Sequence, residues 1–246
     1  MTDANPTIEL MRQHRSIRQY TEDAVPDDDI ASAVAAAQCA STSSNVQAYC
    51  IIRVRDAATR ARLIEVTGGQ EKVAKAGAFF LICADSRRHR LLVERAGGRY
   101  RGGLEEFLVG VIDASLFAQN LSLAFESQGF GICYIGSVRN DLKEADRLLA
   151  LPEGVYPLFG LCVGVPDQDP PLRPRLPVEA VLMEERYPAD EVMLAAIDQY
   201  DEETRSYFRG RSGEDRDWSG PISTRFTKPG RRDLAAYYHA KGADLT

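Results

Sequence analysis

Residues 104–128 constrain the fold more than any other stretch. Leu104, Phe107, Leu108, Val111, Ala114, Ala118, Leu121 and Phe125 recur at helical spacing, and Val109, Ile112 and Leu116 make the other flank apolar as well. A helix apolar nearly all round has to be covered, either within its own chain or in a subunit interface. Gly129 and Gly131 end it.

On both sides of this helix the pattern alternates between strands and helices. Residues 51–55, 78–84, 132–135 and 156–165 read as strands, and 78–84 is the unbroken apolar run of a strand buried on both faces. Residues 7–13 read as a short helix. Val25-Pro26-Asp27-Asp28-Asp29 marks the start of another, with proline near the first turn and acids at the positive end of the dipole. A helix over 57–67 stops at Gly68-Gly69, one capped near Asn140 or Asp141 runs to about Leu149, an amphipathic one covers 190–208, and a last one spans 233–241. Arg87-Arg88-His89-Arg90 reads as surface, and 95–103, with four glycines, as a mobile loop. The alternation puts the chain in the α/β or α+β class with a mixed sheet.

Composition removes several functions. The 246 residues are 44% hydrophobic and 27% charged, ordinary for one large domain or two small ones. A net charge of −6 argues against a nucleic-acid partner. The most apolar run, 76–84, falls short of the roughly 18 residues of a membrane span. The first ten residues carry an acid and no apolar core, so they do not read as a signal peptide, and a cytoplasmic protein with no membrane partner is expected. Cys39, Cys50, Cys83, Cys133 and Cys162 form no C-x-x-C pair and read as reduced, buried thiols. His14, His89 and His239 are scattered, so no metal site is expected. A G-x-G-x-x-G after the first strand and a Walker loop are both lacking, which excludes a Rossmann or P-loop reading.

What the chain does carry is a set of anion- and ring-binding groups. His14-Arg15-Ser16-Ile17-Arg18 puts two guanidiniums, an imidazole and a hydroxyl in five residues, and guanidinium forks match phosphate oxygens. If extended, Ser16 and Arg18 share one face and Arg15 and Ile17 the other. Ser41-Thr42-Ser43-Ser44-Asn45 is a loop rich in donors, and Gly68-Gly69 before Gln70 lets backbone approach a ligand. The stiff, proline-rich 170–177 holds Arg173 and Arg175 on one side. From Arg205 to Arg232 eight basic residues face three acidic ones, a local +5 that reads as an arm or loop near a polyanion.

With these segments in view, the chain resembles the FMN-dependent nitroreductase family, in particular its larger, NADPH-using branch of oxygen-insensitive nitroreductases and flavin reductases. The resemblance rests on HRSIRQY (14–20), STSSN (41–45), TGGQ (67–70), YIGS (134–137), LFGLCVG (158–164) and LRPRLP (172–177), in family order, and on the basic arm with Trp218. It implies an α+β nitroreductase fold with a central mixed sheet flanked by helices, one domain over 1–246 with a basic excursion at about 205–232. It also implies an intertwined homodimer binding FMN at the interface. By that resemblance His14, Arg15, Ser16 and Arg175 hold the phosphate, and Arg18 and Arg173 face the ring near N1 and O2. Gln70 lies on its polar edge, and Tyr134, Ile135, Gly136 and Ser137 bring backbone to N5. The family pattern has a second glycine at Ser137 and usually a lysine at Arg173. Ser43, Ser44 and Asn45 come from the partner subunit and border the open ring face. Arg209 lies near the 2′-phosphate of NADPH, with Lys228 and Arg231 at the pocket mouth, although Glu214 and Asp215 replace arginines of close relatives.

The implied activity is electron transfer from NADPH, with NADH possible, to small-molecule acceptors (nitroaromatics, quinones or free flavin) by a ping-pong mechanism. No catalytic triad is required, because hydride transfer to a flavin needs stacking geometry rather than a general acid. Cationic groups near N1 stabilise the negative charge of the reduced ring. Two alternatives stay open on the same motifs: an FMN-binding sensor or store without turnover, and a flavin-fragmenting or dehalogenating relative.

Overall fold

The computed structural model describes residues 5–245. They gather into two compact units, one formed by the chain up to Pro170 and again from Arg231, the other by Pro171–Gly230.

In the first unit the strands β1 (Tyr49–Arg53), β2 (Ala78–Asp85), β3 (Gly131–Ile135) and β4 (Val155–Gly164) form one sheet in the order β1-β2-β4-β3. Every pairing in it is antiparallel, which corrects the expected mixed sheet while keeping the α+β class. The reason is physical. Apolar periodicity locates a strand but carries no direction, and the helical connections here are long enough to return the chain either way. All eight residues of β2 are buried, as its unbroken apolar run requires.

Helices α1 (Pro6–Arg12), α2 (Asp27–Ala37), α3 (Ala57–Val66), the single turn α4 (Lys72–Lys75), α5 (Arg87–Arg95), α6 (Leu104–Ser127) and α7 (Leu142–Leu149) belong to this unit. Asn5 and Asp56 cap α1 and α3 by accepting backbone N–H bonds, and Pro26 precedes three acids at the start of α2. Arg87-Arg88-His89-Arg90, expected as surface, opens α5; none of the four is buried, and Arg88 is exposed.

The long helix α6 is the organising element. By length and a mean hydropathy of 1.5 it would pass as a membrane span, yet it lies against β1, β2, β3 and α2. Ala114, Phe117, Ala118, Leu121 and Phe125 enter the core. Its other flank stays open: Leu104, Leu108, Ile112 and Leu116, one per turn, are each at least 43% exposed.

The second unit contains α8 (Asp190–Ser212) and α9 (Ser219–Phe226). The basic stretch 205–232, expected as an arm or loop, is therefore largely helical. Tyr200 on α8 donates to the Pro174 carbonyl at 2.9 Å and ties down the extended proline-rich segment. Back in the first unit, α10 (Leu234–Ala240) docks on α7, where the Tyr237 hydroxyl donates to Asp146 at 3.0 Å and Lys241 pairs with the same carboxylate at 2.9 Å.

Candidate functional site

The basic segment 14–18 runs beside the edge strand β3. Ile17 donates its N–H to the Ile132 carbonyl at 2.9 Å, Tyr20 bridges to Pro166, and the Tyr20 hydroxyl returns to the Ile17 carbonyl at 2.7 Å. Ile17 is buried and packs on Gly131, where an added Cβ would come within 2.5 Å of its side chain. Only glycine lets the segment approach this closely. With Ile17 turned in, Arg18 is exposed, as alternation predicts, and its guanidinium donates to the Ser16 carbonyl at 3.2 Å. Arg15 forms an ion pair with Asp169 and a 3.0 Å bond to the Gln13 amide oxygen. His14 Nδ1 lies 2.6 Å from Glu126 Oε1. Burial raises the Tyr20 phenol, with Cys162 and Cys133 adding to the rise, so Tyr20 is a fixed hydrogen-bond donor rather than a proton-transfer group.

At the other end of β3 the chain brings together two segments far apart in sequence. Gly68 and Gly69 take left-handed φ values of +73° and +83° after α3. That turn delivers Gln70 to Ser137, and the Gln70 amide donates to the Ser137 hydroxyl. Ile135 is buried. The Tyr134 side chain is occupied elsewhere, bonded to the Ala118 carbonyl at 2.8 Å and to Ser122 at 2.9 Å. Burial raises its phenol, and the Ser122 hydrogen bond offsets part of that rise. The backbone of residues 134–137 and the Ser137 hydroxyl are thus left to meet a ligand. The phosphate-type donors and the amide-hydroxyl pair sit at opposite ends of one short strand.

Ser43, Ser44 and Asn45 lie on a short 3₁₀ turn whose conformation is unusual. Ser44, Asn45 and Gln47 have left-handed φ values of 46°, 58° and 51° without being glycine, and Val46 between them is right-handed at −72°. Asp113, buried in α6, holds it: one carboxylate oxygen accepts the Ser43 N–H at 3.1 Å and the other the Ala48 N–H at 3.0 Å. His89 contacts the Val46 carbonyl at 2.7 Å, and Arg88 donates to the carbonyls of Gln47 and Tyr49. Reading the sequence missed Asp113, Glu126, Arg88 and His89. The one available signal was an acid, Asp113, in the most apolar helix of the chain.

Arg231 takes a left-handed backbone, with its Nε donating at 3.0 Å to Asn140, the last residue of the Gly136–Asn140 turn. In the second unit Arg173 stacks over the Phe208 ring at 5.3 Å and Arg216 stacks over it at 5.0 Å. Arg175 and Lys228 are exposed. Arg209 is engaged by one of the acids that depart from the family pattern: its Nε and Nη2 donate to the same Asp215 oxygen at 3.0 and 2.7 Å. Asp201 is buried, which by itself would raise its carboxyl. The hydroxyl and N–H of Ser219 and the N–H of Trp218 outweigh burial and hold it below the ordinary range.

Chemically, imidazole, two guanidiniums and a hydroxyl suit a phosphate monoester, and a carboxamide beside a hydroxyl suits the polar edge of a heteroaromatic ring. The donor set fits FMN. Comparison with known proteins points the same way. The model described as "Nitroreductase family" matches residues 11–165, and that described as "Nitroreductase family, C-terminal domain" matches 173–246. The chain is 42% identical to an oxygen-insensitive NADPH nitroreductase of Salmonella typhimurium over 97% of its own length and 98% of the relative's. It is 41% identical to an FMN reductase (NADPH) of Bacillus subtilis, again over 97% and 98%. Among solved structures, B. megaterium NfrA1 superposes with a TM-score of 0.95 at 39% identity, covering 98% of this chain and 100% of that one.

Proposed function

The chain belongs to the nitroreductase family, and from that premise we propose how its residues serve an FMN-dependent oxidoreductase that takes electrons from NADPH. Its physiological acceptors are small electrophiles such as nitroaromatics, quinones or free flavin, and donor and acceptor use the site in turn. FMN, when bound, supplies the hydride and electron chemistry. The chain's own residues bind, orient and tune. His14, Arg15 and Ser16 hold the phosphate, and Arg18 places positive charge near the ring, favouring its anionic reduced form. Gln70 and Ser137 meet the ring edge, with backbone from residues 134–137. On charge and chemistry, Arg175 adds to the phosphate donors and Arg173 to the ring-facing cations. Arg209, Lys228 and Arg231 serve the nicotinamide cofactor, and NADH is a second donor. The observation that carries this reading is the contact of Gln70 with Ser137 at one end of β3 and the basic segment at the other.

We read the chain as one functional domain with a basic excursion at about 205–232, acting as a homodimer. The open stripe Leu104, Leu108, Ile112 and Leu116 supports the dimer, since a contiguous apolar face calls for a cover. Ser43, Ser44 and Asn45 then border the partner's ring. A 27.2 kDa species alone in sedimentation would remove the dimer. Five free thiols support a reducing, cytoplasmic setting.

Anaerobic visible spectroscopy tests the function. The purified protein is expected to be yellow and to bleach within seconds of NADPH addition. Yellow protein that neither NADPH nor NADH bleaches would leave a flavin store or a flavin-consuming enzyme, and protein that takes up no FMN would end the reading.

A further inference from the structure

Glu126 sits where a carboxylate is costly. It belongs to the last turn of the 24-residue helix α6, at the negative end of the helix dipole. Its side chain is only 11% exposed, and its Oε2 is buried without a hydrogen-bond partner among the described residues. Its other oxygen is 2.6 Å from Nδ1 of His14, 112 positions away. Packing alone does not account for such a residue, because burying a carboxylate costs more than burying an apolar side chain of the same size. The pair also lines a cavity of about 220 Å³, together with Gln13, Arg15, Gly131 and Asp169.

An ionised carboxylate only accepts hydrogen bonds, so the imidazole must present its Nδ1–H to Glu126. That fixes which ring nitrogen is committed to the protein and which, Nε2, is left for a ligand. We propose that Glu126 is the positioning residue for His14: it holds the ring through Nδ1–H and turns Nε2 toward the phosphate, to which Nε2 donates when the imidazole carries both protons. It thereby makes the site choose a phosphorylated flavin over an unphosphorylated one. A carboxylate orients metal-binding histidines in the same way, although a metal takes the lone pair of Nε2 and a phosphate oxygen takes its N–H. The inference rests on the reading of residues 14–16 as phosphate donors.

The test compares FMN with riboflavin, which carries the same ring and lacks the phosphate. Affinities of the flavin-free full-length protein are measured by quenching of flavin fluorescence, for the parent chain and for Glu126→Ala, Glu126→Gln and His14→Ala. Glu126→Ala is expected to weaken FMN on the order of tenfold, as loss of an oriented charge-assisted bond does, and to leave riboflavin within about twofold. Glu126→Gln keeps the shape and an amide oxygen for Nδ1–H, and should retain most of the preference for FMN. Equal losses for both flavins in either variant would make Glu126 a general structural residue and overturn the proposal. So would unchanged FMN affinity in Glu126→Ala when His14→Ala loses it. Unchanged FMN affinity in His14→Ala would instead strike the phosphate reading beneath it.

Discussion

Two loops of this molecule are held by the same device, a buried aspartate that accepts backbone N–H groups, and they differ in what the device spans. Asp113 reaches residues 43 and 48 across 65 to 70 positions, from the central helix of the first unit. Asp201 accepts from Trp218 and Ser219, only 17 and 18 positions away, and starts α9 inside the second unit. The first clamp exists only once the fold has formed, and it secures left-handed backbone at Ser44, Asn45 and Gln47 that these residues would not adopt alone. The second is a local closure between neighbouring helices. Identical chemistry should therefore have global consequences in one place and local ones in the other.

The largest expected effect follows from the first clamp. Asp113→Asn keeps the shape but turns an amide NH₂ toward one of the two backbone N–H groups. A buried donor left unsatisfied costs about 1–3 kcal/mol, and release of the turn adds to it, so urea unfolding should show a loss of roughly 3 kcal/mol. A loss below about 1 kcal/mol would mean that the turn holds itself and that the two clamps do not differ in reach.

The same contrast explains what could be read in the sequence. The four strands and α6 were legible because apolar spacing is a local property, and the basic segment was legible because charge and donor type are carried by adjacent residues. Asp113 and Glu126 were not, since their partners lie 65 to 112 positions away and no spacing rule links them. Antiparallel pairing was hidden for the same reason. In the second unit the failure was different. Residues 205–226 hold few apolar side chains and several glycines, so they read as a loop, yet α8 continues to Ser212 with Arg205 tied to Glu202 and to Asp217, and α9 follows. Ion pairs and a buried cap sustain helix there without an apolar stripe.

A smaller effect is expected from the second clamp, and pH separates the two cases. The carboxyl of Asp201 is held below its ordinary range in the folded arm. Its stabilising contribution is thus fully present above the unfolded value of about 3.9 and is lost as pH falls through the lower folded value. Trp218, the single tryptophan, reports this directly. Its fluorescence should stay native-like through the ordinary carboxylate range and change only below it. In Asp201→Asn the arm should loosen at neutral pH by about 1–2 kcal/mol of local opening, read as faster amide exchange over residues 213–226, while exchange in β2 is unchanged. Faster exchange in both regions would show that this clamp, too, is global.

The smallest expected effect lies at the exposed end of the same arm, where Arg209 is 61% and Asp215 68% exposed. A pair so open to water contributes little to stability, and under the proposed role of Arg209 its consequence is for binding: Asp215 would compete with a 2′-phosphate for the guanidinium. Freeing Arg209 by Asp215→Asn should lower the Michaelis constant for NADPH by about two- to fivefold, the range of an exposed ion pair. NADH has no phosphate there to gain from the change, and its constant should stay put. Arg209→Ala should act in reverse, raising the constant for NADPH alone. If either substitution moved both cofactors equally, Arg209 would not be reading the phosphate. The acid at 215 would then be surface charge, not the feature that narrows the gap between the two donors.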